Sequence, residues 1–178
     1  YREQNLRFEQ SPAGLTVEGA LTPGDYRLAG NVSSQFISGL LFALPLLPGD
    51  SQLHLIPPVE SRSYIDMTRA VQAAFGVHSR WLDETTLLLP GGQQYHPCDY
   101  NVEGDYSQAA FPAVLGAVCG GVTITGLAPD TLQGDAAILD ILRRCGAVFT
   151  RTGDSITFAK APLHGVDIDL ADCPGLGP

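Results

Sequence analysis

The sequence predicts an α+β (α/β-like) fold made of two copies of one βαβαββ unit, and three observations carry that prediction. The stretch Gly30-Asn31-Val32-Ser33-Ser34-Gln35, which leads into a strongly apolar segment, recurs as Gly104-Asp105-Tyr106-Ser107-Gln108, with Gln35 and Gln108 lying 73 residues apart. The glycines that end the second helical pattern of each copy, Gly76 and Gly146, are 70 residues apart. Between these landmarks both copies run through the same alternation of period-2 and period-3.6 patterning, as a sheet covered by helices requires. The period is too long for a small solenoid repeat and marks a duplicated subdomain. Residues 1–25 read as the end of a preceding unit, 26–103 as the first copy and 104–178 as the second, with Asn101–Gly104 connecting them.

Each element follows from its residues. Leu6–Phe8, Leu15–Gly19 and Gly24–Leu28 are short strand candidates separated by Pro12, Gly14, Pro23 and Gly24. A first helix over about Ser33 to Leu44 places Phe36, Leu40, Ala43 and Leu44 on one face, widened by Ile37 and Leu41, so burial on most sides is expected. Pro45, Pro48 and Gly49 end it. Ser51–Ile56 alternates as a strand with Leu53 and Leu55 inward and His54 on the solvated face. A second helix, about Tyr64 to Phe75, stops at Gly76. Val77–Leu82 and Thr86–Leu89 pair around Asp83-Glu84-Thr85. In the second copy a helix over Ala109–Cys119 is stopped by Gly120-Gly121, and Val122–Thr125 is the next strand. A helix over about Asp135–Cys145 follows, and Ala147–Thr150 pairs with Ser155–Phe158. Phe36, Phe42, Phe75, Trp81 and Phe111 are spaced as core residues.

Composition narrows the function classes. The chain is 44% hydrophobic and 16% charged, a globular balance, and its ten Lys and Arg against nineteen Asp and Glu give a net charge of −9. That disfavours nucleic acid, whose backbone needs clustered cations, but leaves room for a small anion. The longest apolar run, Leu40–Leu47, is too short to span a bilayer and contains Pro45. Cys98, Cys119, Cys145 and Cys173 show no C-x-x-C and no histidine at ligand spacing, so they read as ordinary thiols of a reducing, cytoplasmic compartment. No metal and no cofactor are expected. The chain starts without Met and stops at Gly175-Leu176-Gly177-Pro178, which reads as a fragment of a longer polypeptide.

The chemistry concentrates at helix starts. The first turn of a helix leaves N–H groups unpaired and carries partial positive charge, so Ser33, Ser34 and Gln35 can add hydroxyl and amide donors to an anion site there. The bland reading is an N-cap, but two serines and a glutamine exceed what a cap requires. Glu60-Ser61-Arg62-Ser63-Tyr64-Ile65-Asp66 offers a cation, hydroxyls and a phenol at another helix start, so Ser61, Arg62 and Tyr64 are expected to converge with Ser33–Gln35 on one polyanionic ligand. The structural alternative is that Ser63 caps the helix and Asp66 complements its dipole. Thr131-Leu132-Gln133-Gly134-Asp135, at the matching place in the second copy, reads as a tight turn and a cap. Asp105 would oppose an anion at Ser107, and reads as a structural or hydroxyl-binding residue. Asp167-Ile168-Asp169 alternates like a strand end.

These motifs, together with Phe75-Gly76-Val77, Glu103-Gly104-Asp105-Tyr106-Ser107 and Gln133-Gly134-Asp135, resemble 5-enolpyruvylshikimate-3-phosphate synthase over nearly the whole chain. The resemblance implies transfer of the enolpyruvyl group of phosphoenolpyruvate to shikimate 3-phosphate, in a fold of two lobes with three such units each. It also implies that the lobe crossing lies near Gly104, and that the partners are those two substrates and missing segments of the same chain. By carry-over, Ser33, Ser34 and Gln35 hold shikimate 3-phosphate with Ser61 and Tyr64 beside it, and Arg62 and Asp105 are secondary. One departure stands out. Gly175 follows Pro174 where the family carries the aspartate that serves as general base, and glycine moves no proton, so no catalytic residue is assigned and the fragment is expected to be inactive alone. The competing readings are a relative of UDP-N-acetylglucosamine enolpyruvyl transferase and a non-catalytic binding or scaffold module.

Overall fold

The computed structural model describes residues 6–60, 62–170, 173 and 176, and the chain divides into two units. One comprises residues up to Val59 with Thr68–Cys98; the other comprises Glu60–Met67 with the residues from Asp99 onward.

In the first unit, β1 (Arg7–Ser11) and β2 (Gly14–Glu18) form an antiparallel hairpin. The main sheet has the order β3 (Asp25–Ala29), β4 (Ser51–Ile56), β6 (Thr86–Leu89), β5 (Arg80–Trp81), with β3 and β4 parallel and the other pairs antiparallel. A parallel pair needs a crossover, which here carries α1 (Ser34–Ala43) and a 3₁₀ turn, Leu44–Leu46, at Pro45. The period-2 alternation of β4 works as read: Leu53 and Leu55 are buried, and Leu53 faces the buried Leu87 across the ladder. His54 points the other way, with Nδ1 3.3 Å from Thr86 Oγ1. Each fully buried leucine contributes roughly 1.5–3 kcal/mol of transfer free energy. α2 (Arg62–Ala74) starts two residues earlier than its pattern suggested, and its part from Thr68 onward belongs to this unit. There Gln72 is buried and donates from Nε2 to Leu41 O at 2.8 Å and to the Tyr95 hydroxyl at 2.7 Å.

The second unit holds α3 (Tyr106–Cys119), β7 (Val122–Ile124), a 3₁₀ turn at Gly134–Ala137 leading into α4 (Ile138–Arg144), β8 (Val148–Thr152) and β9 (Ser155–Ala159). Its sheet order, β7-β9-β8, reproduces β4-β6-β5. Among the described residues no strand precedes α3 in this copy, since Pro97, Asp99, Asn101 and Gly104 are poor strand formers. Asp167-Ile168-Asp169 likewise joins no ladder.

The duplication extends to individual backbone hydrogen bonds. Gly76 (φ +83°) and Gly146 (φ +95°) close α2 and α4 with the same pair of bonds. Gly76 N–H donates to Ala73 O (3.0 Å) and Val77 N–H to Gln72 O (2.9 Å); Gly146 N–H donates to Arg143 O (3.0 Å) and Ala147 N–H to Leu142 O (2.9 Å). This is the left-handed C-terminal motif that only glycine adopts without penalty. Gly30 N–H donates to Ile56 O at 2.8 Å, and its counterpart Gly104 N–H to Gly126 O at 2.7 Å.

Burial of the helices departs from the pattern. α1 buries Ile37 and Leu41, with Leu44 beyond it, whereas Phe36 and Phe42 are 61% and 48% exposed. In α3 the buried stripe is small: Ala109, Ala113, Gly116 and Ala117 lie inward, and Phe111, Val114, Leu115 and Val118 lie outward. Small residues let the helix sit close on the sheet, for a Cβ at Gly116 would lie 2.8 Å from Phe158 Cβ and 2.9 Å from Val122 Cβ. The expectation that Phe36, Phe42 and Phe111 are core residues is therefore corrected: spacing finds an apolar face, but a face is core only where another element covers it.

Candidate functional site

Two polar clusters contain the predicted site residues, one in each unit. The first is the start of α1. Ser33 is extended (φ −172°, ψ 132°) and caps the helix, its Oγ accepting from Gln35 N–H at 3.2 Å. Phe36 N–H donates to Ser33 O at 3.3 Å. Two early N–H groups are thus bonded within the turn, and the cap reading of Ser33 is correct. Its hydroxyl hydrogen stays available, because that oxygen acts as an acceptor in the cap. Ser33 and Ser34 are half-buried and Gln35 is exposed, and the side chains of Ser34 and Gln35 make no hydrogen bond among the described residues. A half-buried start of a ten-residue helix, with two hydroxyls and one amide, presents donors and no carboxylate.

The start of α3 looks alike in sequence and differs in charge. Asp105 is the cap, and its Oδ1 accepts from Ser107 N–H at 2.8 Å, from the Ser107 hydroxyl at 2.8 Å and from Gln108 N–H at 3.4 Å. The Ser107 hydroxyl bond, helped by those N–H groups and opposed by desolvation, holds the Asp105 carboxyl below the usual carboxylate range. The hydroxyl that an anion would need is spent on an anion already present. The capping oxygen of copy one therefore leaves its own hydroxyl hydrogen uncommitted, whereas in copy two the Ser107 hydroxyl is committed to the Asp105 carboxylate.

The second cluster surrounds Tyr64. The phenol, in the first turn of α2, donates to Asp135 Oδ2 at 2.5 Å. Asp135 sits in the 3₁₀ turn before α4, is 2% exposed, and has no hydrogen-bond partner for Oδ1 among the described residues. Burial first, then the Asp135 carboxylate as acceptor and as charge, then Asp105 and Cys173, push the Tyr64 phenol well above the ordinary tyrosine range. The turn is braced by Gln133, whose Oε1 accepts from Tyr106 N–H (2.8 Å) and whose Nε2 donates to Gly104 O (2.9 Å). Thr131 accepts from Gln133 N–H at 3.1 Å and donates to Glu103 at 2.9 Å. The reading of 131–135 as a turn holds, but among the described residues no side chain caps the 3₁₀ turn or α4, whose N-cap positions are Gln133 and Ala137. No pattern in the sequence couples residues 71 positions apart, and only folding reveals the Tyr64–Asp135 bond.

Arg62 opens α2, with Nε 3.8 Å from Asp66 Oδ2 one turn on. Ser63 lies inside the first turn rather than at the cap, with its hydroxyl buried and without a hydrogen bond among the described residues. Ser61 and Gly175 lie outside the described residues. Among those described, no group of His, Cys, Asp and Glu is arranged to hold a metal, and no helix is long and apolar enough to cross a membrane.

The family model for EPSP synthase (3-phosphoshikimate 1-carboxyvinyltransferase) matches residues 5–178. The chain is 43% identical over 180 residues to the 3-phosphoshikimate 1-carboxyvinyltransferase of Clostridium kluyveri, covering 100% of this chain and 42% of that protein. It is 41% identical over 180 residues to the protein of the same name from Brachyspira hyodysenteriae, covering 100% and 43%. Among solved structures, EPSP synthase from Acinetobacter baumannii superposes with a TM-score of 0.71 at 21% identity, over 99% of this chain and 43% of that one. The enolpyruvyl transferase NikO from Streptomyces tendae superposes with a TM-score of 0.63 at 17% identity, over 90% and 40%. The chain spans about two fifths of the length of the curated relatives it matches.

Proposed function

The chain belongs to the EPSP synthase family, and from that premise we propose that its parent protein transfers the enolpyruvyl group of phosphoenolpyruvate to shikimate 3-phosphate. In this reading the present chain supplies part of the phosphate-ester site, and a cytoplasmic location goes with the activity. The observation that supports it best is the start of α1, where the family match coincides with three adjacent donors and no nearby capping carboxylate. Ser33 donates its hydroxyl hydrogen while accepting from Gln35 N–H, Ser34 adds a second hydroxyl, and Gln35 reaches from the exposed rim. The α1 dipole favours the dianion they would hold. By the family match, Ser61 and Tyr64 are assigned to the same ligand in this reading, with Arg62 and Asp105 secondary.

Calorimetric titration of the chain with shikimate 3-phosphate tests the site, and Ser33→Ala with Ser34→Ala should abolish the heat. No heat at millimolar ligand from a folded chain would remove the assignment. A second reading, a binding module without turnover, is favoured by Gly175. Grafting residues 1–178 into the Clostridium kluyveri relative, with and without Gly175→Asp, separates the two. Turnover only with aspartate supports loss of the proton-moving group, a change expected to be about 10²–10⁴-fold. Equal turnover in both grafts refutes the second reading.

A further inference from the structure

A buried carboxylate with one oxygen unsatisfied is expensive to keep. Asp135 is 2% exposed, and its Oδ1 has no hydrogen-bond partner among the described residues. An unpaired buried acceptor costs about 1–3 kcal/mol, and uncharged residues of similar size commonly replace such groups with no loss of stability. Stability therefore gives no reason for an acid here. The turn itself does not use the carboxylate, since Gln133 and Thr131 supply its side-chain bonds. What the carboxylate does is accept the Tyr64 hydroxyl through Oδ2.

We propose that Asp135 is a positioning residue for Tyr64, fixing the rotation of the phenol and holding its one hydrogen on the carboxylate, so that the phenol oxygen is left to accept from a hydroxyl of the phosphate-ester ligand in one orientation. This rests on the site reading above for the identity of the ligand, but not for the pair. Among the described residues, Asp135, Asp105 and Cys173 act electrostatically on the phenol. Of these, Asp135 makes the hydrogen bond, and Asp105 is turned to its own helix cap. Holding a phenol in a single rotamer removes an ordering cost that the ligand would otherwise meet on binding.

The experiment is a double-mutant cycle in the intact chain with Tyr64→Phe, Asp135→Asn and the double variant, read two ways. Shikimate 3-phosphate affinity should fall about three- to tenfold in Tyr64→Phe, the worth of one hydrogen bond, and by a similar factor in Asp135→Asn. It should fall no further when Asp135→Asn is added to Tyr64→Phe. Independent, additive losses would overturn the proposal, because a purely structural Asp135 would act in either background. The second readout needs no ligand: an ultraviolet titration in which the tyrosine missing from Tyr64→Phe ionises at lower pH in Asp135→Asn than in the parent. An unchanged midpoint refutes the pair. If Asp135→Asn does not fold, the parent chain alone decides. A hydroxyl proton protected from exchange, visible by NMR and lost in Tyr64→Phe, supports the pair, and its absence refutes it. Failure of the parent to bind ligand would count against the site reading, while the titration still decides the pair.

Discussion

Replacing Gly30 by alanine should cost stability and displace the α1 donors together. Gly30 is buried, and its N–H donates to Ile56 O at 2.8 Å. A Cβ there would lie 2.9 Å from Pro58 O, 2.9 Å from Val59 Cα and 3.0 Å from Val59 Cγ2. The backbone is not in the left-handed region, so the cost is collision and not torsional strain. Non-bonded carbon atoms rest at about 3.5–4.0 Å, so the loop must retreat by roughly 0.5–1 Å. Overpacking of this kind costs about 1–3 kcal/mol, and weakening the Gly30–Ile56 bond adds up to about 1 kcal/mol. Lower entropy of the unfolded alanine chain returns about 0.4–1 kcal/mol. Taking the middle of each range, the net expectation is a loss of about 2 kcal/mol. Gly39, inside α1 with nothing within 4 Å of its Cβ position, is the control, and Gly39→Ala should gain about 0.5–1 kcal/mol. Urea unfolding measures both. Because Gly30 lies three residues before Ser33, calorimetry should also show shikimate 3-phosphate affinity falling at least about tenfold in Gly30→Ala and unchanged in Gly39→Ala. A Gly30→Ala chain as stable as its parent, or one that binds equally well, refutes the reasoning.

Removing the cap of α3 with Asp105→Ala should cost about 0.5–2 kcal/mol in urea unfolding. Since folding lowers the Asp105 pKa, the native state binds fewer protons than the unfolded chain across that interval. The cap's contribution should be complete above the unfolded carboxyl pKa of about 4 and fade as pH falls below it, so the difference between parent and Asp105→Ala should shrink in acid. In the core, Leu41→Ala should cost about 2–5 kcal/mol, because Leu41 is 0% exposed. Phe36→Ala on the same helix should change stability by no more than about 0.5 kcal/mol in this chain, being 61% exposed.

The features legible in the sequence were those set within a turn or two of chain. Gly76 and Gly146 could be read as helix stops because a left-handed residue is needed wherever a helix closes in this way, and both carry the positive φ that the motif demands. The alternation of Ser51–Ile56 announced its buried leucines, and Ser33 its cap, because period-2 geometry and capping are local. The offsets of 73 and 70 residues revealed the duplication, since one unit repeated must repeat its punctuation.

Folding alone decided the rest. Spacing put Phe36, Phe42 and Phe111 on apolar faces, but the residues buried are Ile37, Leu41 and the alanines of α3, and in α3 close approach to the sheet selects small side chains over large ones. Two helix starts with similar residues became chemically opposite once the Asp105 carboxylate took up the Ser107 hydroxyl and the Ser33 oxygen left its own hydrogen free. The Tyr64–Asp135 bond joins residues 71 positions apart, and no propensity or periodicity has that reach. Local rules describe what a segment can present; what it meets, and so whether a side chain is buried, charged against a neighbour or free to bind, is set by the elements packed around it.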